Sequence, residues 1–202
     1  MTITDNHNDN LKTIEEMEFK KVKLINNGRL EAVYTDLEGN EVALKGANPV
    51  HQDLKNAMKC LVPFLCDITE QKEADKYDWD NPASDENADL LRHLDVKGVT
   101  ISGSDAFASC VLTGSRTLSV TQKILNLNTP CISLDSDEAE YAHLSELHEA
   151  IDAVIEEARL YIRERKYSDA QGTFDFDGDG NADDPFGGDG DAGESGPLKE
   201  AV

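Results

Sequence analysis

Two short-period stretches, each followed by a helical one, organise this chain. Phe19-Lys20-Lys21-Val22-Lys23-Leu24-Ile25 has the composition of a strand and runs into Asn26-Asn27-Gly28. Asn-Gly accepts the positive φ that a tight hairpin turn demands. Leu30, Ala32 and Tyr34 then fall on one side of a second strand. The polar run Asp36-Leu37-Glu38-Gly39-Asn40 turns the chain again into Val42-Ala43-Leu44-Lys45. The pattern predicts a three-stranded antiparallel meander.

The period then changes. Leu54, Met58, Leu61 and Leu65 recur at three and four, which predicts a helix from Pro49 to about Cys66, kinked at Pro63. Residues 67–93 are polar and acidic without a sustained period, and read as a long surface loop. Strands resume at Leu94–Ile101, Phe107–Gly114 and Leu118–Val120. The segment from Lys123 to Pro130 continues extended toward Cys131-Ile132. A long helix follows, capped by Asp135 or Ser136, with Glu138 as the capping-box partner. Its apolar stripe is Tyr141, Leu144, Leu147, Ile151, Val154, Ile155, Ala158 and Ile162. Its outer face carries Glu149, Asp152 and Glu156, like charges that favour water or a basic partner. Arg159, Arg163, Arg165 and Lys166 suit its negative end.

These elements predict an α+β fold, with an antiparallel sheet or sheets built from two β-β-β-α units and a long C-terminal helix. The domain is expected over residues 17–168, in halves 17–66 and 94–168 joined by the acidic loop 67–93. Residues 1–16 are expected to be flexible, and the Asp/Gly-rich segment 169–202 a disordered acidic tail.

Charge sharpens this picture. The formal net charge is -22 over 202 residues. From residue 171 on there are nine acidic residues against Lys199, a net of -8, which leaves -14 on the 170 residues before it. A body this acidic repels polyphosphate on average, yet a strip of lysines can still make a positive groove. Cys60, Cys66, Cys110 and Cys131 stand in apolar surroundings at spacings that fit neither a disulfide framework nor a zinc site. Free buried thiols in a reducing cytoplasm are expected. The first ten residues have neither a basic start nor an apolar run, so no signal peptide is expected, and no stretch approaches a membrane span. The five histidines show no pairing with Cys or Asp at ligand spacing, and Ser102, Ser104 and Ser115 have no adjacent base that the sequence can supply. The chain is not expected to be an enzyme.

The tail offers two chemistries. Asp175, Asp177, Asp179, Asn181 and Asp183 occupy alternate positions around Gly180, the donor spacing of a calcium loop. This resembles EF-hand and dockerin loops over nine residues. It departs from them at the twelfth position, which is Phe186 where a bidentate Glu is required, and any affinity for Ca2+ would be weak. No other cofactor is expected. Asp183-Asp184-Pro185-Phe186 resembles the acidic tails of bacterial and phage single-stranded DNA-binding proteins. That resemblance implies docking on replication or recombination proteins, and competition with DNA for the protein's own groove. Here sixteen residues follow Phe186, whereas the family's Pro-Phe lies at or near the terminus.

The body, from Asn27-Gly28 through Gly46, Gly98 through Gly114, and Leu125-Asn126-Leu127-Asn128-Thr129-Pro130 before a Glu-rich helix, resembles small acidic proteins of tailed phages and prophages. The resemblance implies a role among replication and recombination functions in a host cytoplasm. For single-stranded DNA the candidate cations are Lys20, Lys21, Lys23, Arg29 and Lys45, with Phe19 and Tyr34 as stacking faces. A homo-oligomer is expected. The alternative is a protein-interaction or inhibitor protein, for example a DNA mimic, that binds a basic partner and no DNA. A calcium-modulated tail is a third reading.

Overall fold

The computed structural model describes residues 17–103, 108–135 and 141–167. Strands β1 (Glu18–Ile25), β2 (Arg29–Thr35) and β3 (Glu41–Pro49) form the expected meander. Asn27 and Gly28 turn the first hairpin at φ 63° and 67°, the left-handed geometry that the Asn-Gly pair predicts. Asp36 shapes the second turn, where its Oδ1 accepts from the Glu38 and Asn40 amides.

Helix α1 (Gln52–Cys60) follows, then α2 (Val62–Ile68), α3 (Asp85–Leu91), β4 (Leu94–Ser102), β5 (Ser109–Thr117), β6 (Ile124–Asn128), β7 (Ile132–Ser133) and α4 (Leu144–Glu164). All pairings are antiparallel in one sheet of order β3-β2-β1-β4-β5-β6, with β7 also on β5. The two β-β-β-α halves therefore share a single sheet and meet at its centre. There Lys21, Val22 and Lys23 face Thr100, Val99 and Gly98. Each central strand carries an irregularity two residues before its pivotal valine, at Lys20 in β1 and Lys97 in β4. A Cβ on Gly98 would stand 2.8 Å from the Val22 carbonyl oxygen, so the seam closes only because that residue has none.

One face of the sheet holds the core. Phe19, Val22, Leu30, Ala32, Val96, Val99, Cys110 and Leu112 are buried there with Leu54, Met58, Leu61, Leu65, Leu147, Ile151, Val154 and Ala158 of the helices. The bulge at Lys20 explains a conflict in the sequence. Phe19 and Val22 are three apart, so strict alternation sets them on opposite faces, and the extra residue returns both to the core.

Several elements differ from expectation. The helix expected from Pro49 to Cys66 is two helices that break at Leu61, with Pro63 in the first turn of the second, where its missing N–H costs little. Pro49 ends β3 instead. The loop 67–93 contains α3, capped by Ser84, whose hydroxyl accepts from the Asn87 amide. Buried Asn87 binds the Asp78 and Asn81 carbonyls, and Trp79 packs on Phe64 and stacks on His143 at 3.7 Å, so the loop is anchored. Leu118–Val120 is turn rather than strand, since β5 runs on to Thr117. The long helix starts at Leu144, so Tyr141 precedes it, and its hydroxyl donates to Asp67 instead. Residues 136–140, with the cap predicted at Ser136, lie outside the described residues. Cys66 and Cys110 are buried as expected, but Cys60 and Cys131 are exposed.

Candidate polyanion-binding groove

Antiparallel pairing of the central strands brings the end of β1 beside the start of β4, and α1 crosses over them. The result is a groove of about 710 Å3. Its walls are Lys23 to Asn26 and Gly28 on one side, Asp95 to Lys97 on the other, and Lys55, Met58 and Lys59 above. Each lysine arrives there for a separate reason. Lys23 lies on β1 beside Gly98, and Lys97 is the extra residue of the β4 bulge, which re-aims a side chain. Lys55 and Lys59 are four apart on α1 and so share one helix face. Gly28, at φ +67°, passes beneath Lys55, and a Cβ there would lie 3.4 Å from its Cε.

None of these four lysines is ion-paired with a described carboxylate. Asp95 is the groove's one acidic residue among those described. Desolvation of its carboxyl raises its pKa, and Lys97 and Lys59 offset part of that. Lys97 and Lys59 act on Asp95, and with Lys55 they make a local excess of positive charge on a chain of net charge -22, whereas Lys23 faces Glu31 on the other side of the sheet. The lining holds no aromatic ring, so it offers cations to charged oxygens and no face for base stacking.

The residues selected from sequence separate into four groups. Lys23 borders the groove, although it faces Glu31 across the ladder. Lys20 pairs with Glu41, and Lys21 with Glu31. Glu31 also faces Lys23 and Lys45 across the ladder on the helix-free side of the sheet, and Lys21 first, then Lys45 and Lys23, hold its carboxyl below the usual range. Arg29 lies at the end of β2, where its Nε donates to the Asn26 carbonyl. Phe19 and Tyr34 are a correction: they pack on each other with ring centroids 5.5 Å apart and face the core, 4% and 9% exposed, so neither offers a stacking face. Lys55, Lys59 and Lys97 were not selected. The spacing of Lys55 and Lys59 was a readable signal, whereas Lys97 joins them only through the strand pairing.

The calcium-loop positions Asp175, Asp177, Asp179, Asn181 and Asp183, and the docking motif Asp183-Asp184-Pro185-Phe186, lie outside the described residues. Among the described residues no cluster of three or more His, Cys, Asp or Glu is arranged to hold a metal ion. No helix among them is long and apolar enough to cross a membrane. Comparison with protein-family models, with curated proteins and with solved structures gives no match. The fold and groove therefore define the class alone: an acidic α+β protein with one antiparallel sheet and a cationic groove at its central seam.

Proposed function

We propose that this chain is a non-enzymatic, cytoplasmic accessory protein of phage-type DNA metabolism that binds single-stranded DNA along its phosphate backbone. The observation that carries this reading is the convergence of Lys55, Lys59 and Lys97, unpaired by described carboxylates, on one groove of an otherwise acidic molecule. With no aromatic ring in the lining, contact is to phosphate and sequence preference is low. The body's own charge opposes binding at a distance, so affinity is modest and confined to low salt. The acidic segment with Asp183-Asp184-Pro185-Phe186 serves as a partner-docking tail that competes with DNA for the groove.

Fluorescence anisotropy with a labelled oligo-dT strand tests this. Three phosphate contacts give a log–log salt dependence with a slope of about -2, and Lys55→Ala/Lys59→Ala reduces it to about -0.7. Cutting the chain after Ser168 strengthens binding. Absence of binding by native and shortened chains at low salt refutes the reading. A basic protein partner is the second reading, supported by Glu149 and Asp152, both exposed on the outer face of α4. In that case capture of the partner, and not of DNA, responds to Glu149→Lys.

A further inference from the structure

Acidic residues make up 41 of the 202, yet none occurs among the 29 residues from Ala106 to Leu134. The described residues of that stretch contain β5, β6 and β7 and form one whole edge of the sheet. β6 is the terminal strand, and no described strand pairs with its outer side. A free edge presents a row of unpaired N–H and C=O groups that invites another strand. Apolar side chains surround it. Val120, Ile124 and Leu125 are 92%, 65% and 46% exposed, three of the four large apolar side chains that stand exposed among the described residues. The opposite edge is closed by comparison. β3 ends in Pro49, Val50 bridges to Tyr167, and the Tyr161 hydroxyl donates to the Asn48 carbonyl.

Two features of this edge specify its occupant. The first is charge: two chains of net charge -22 repel one another, and a stretch whose only charged residues are Arg116 and Lys123 lets them meet without apposing carboxylates of its own. A basic partner finds no counter-charge on these strands. The second is sequence: Leu125-Asn126-Leu127 reads the same in both directions. Antiparallel pairing about a two-fold axis at Asn126 sets Leu125 against Leu127 of the partner subunit, and Asn126 against Asn126 of the partner subunit. Leu127 faces Gly114 on the core side of the sheet, so the leucine pairs continue the core across the junction. We infer that β6 is the dimerisation edge of this protein, and that a second copy of the chain docks there antiparallel and extends the sheet.

Sedimentation equilibrium of the full chain, without DNA, reads the result. A monomer–dimer equilibrium is expected, and Leu125→Lys, at an already exposed position, weakens it by at least about tenfold while the circular dichroism spectrum stays native. Cross-linking gives a second readout. Directly opposed antiparallel residues have Cα atoms about 4.5–5.5 Å apart, within disulfide reach. In a Cys60→Ser/Cys131→Ser chain, Asn126→Cys should oxidise to a covalent dimer far faster than Glu149→Cys on α4. A monomer at every concentration overturns the inference. So does a dimer that Leu125→Lys leaves intact, or equal cross-linking at the two positions, either of which moves the interface elsewhere.

Discussion

Glu73 is 5% exposed and lies just beyond α2, against the far end of β5. Its carboxylate accepts two hydrogen bonds from the Arg116 guanidinium, at 2.6 and 2.8 Å, and His93 Nε2 stands 3.2 Å away. Arg116 also donates to the Gln71 side chain at 3.0 Å. The guanidinium holds the Glu73 carboxyl down from 4.5 to about 2, against the opposing effect of burial. A carboxyl whose pKa is lower folded than unfolded stabilises the fold fully above its unfolded pKa, and that contribution is lost as pH falls from about 4.5 toward 2. A fall of this size corresponds to about 3 kcal/mol at neutral pH, of which about 1 kcal/mol survives at pH 3. Glu73→Gln keeps the shape but strands a guanidinium whose side chain is only 12% exposed. The expected cost is about 3–5 kcal/mol at pH 7, because a buried charge is left without its partner. Urea unfolding of native and variant chains at pH 7, 5 and 3 measures it. The gap between the two should narrow by about 2 kcal/mol between pH 7 and pH 3. A gap that is constant with pH, or below about 1 kcal/mol at pH 7, refutes the reasoning.

Three further outcomes are expected. Gly98→Ala places a methyl 2.8 Å from the Val22 carbonyl oxygen, and should lower stability by about 1–3 kcal/mol in the same urea assay. Thr129→Val keeps the shape of a 5% exposed side chain but removes the hydroxyl that accepts from the Leu112 amide at 2.9 Å. Leaving that amide unsatisfied should cost about 1–3 kcal/mol, read by thermal melting. Burial pushes the Cys66 thiol up to about 12 and the Cys110 thiol up to about 11, whereas Cys60 and Cys131 are exposed. Ellman's reagent at pH 8 should therefore titrate two thiols quickly and the remaining two only on unfolding.

The meander was legible because Asn27-Gly28 and Asp36 to Asn40 state their turns in local chemistry, and the stripe of α4 because its period is sustained over many residues. What escaped was non-local or short. The Lys20 bulge is invisible to a period-two reading, which forced Phe19 toward the lysines and made it a candidate for stacking. α3 has seven residues, too few to display a period, although Ser84 before Asp85-Glu86 is a capping signal. The split at Leu61 follows from Pro63, which opens a helix more comfortably than it interrupts one. The groove draws lysines from β1, α1 and β4, and only the pair on α1 is visible without knowing that β1 and β4 are neighbours.

The central seam has a consequence for how the chain reaches this state. Val22 and Val99 pair across 77 positions of sequence, whereas the hairpins on either side close over short turns. Loop closure on that scale delays the seam relative to the local hairpins. Until it forms, β1 and β4 are both unpaired edges with valine at their midpoints, open to strands of other molecules on the ribosome or in a crowded cell. Lys20, Lys21 and Lys23 flank one of those valines, and Lys97 precedes the other. Lysine at a strand edge is a gatekeeper against wrong pairing. The charges placed at the seam thus guard the nascent chain before they can serve the folded one.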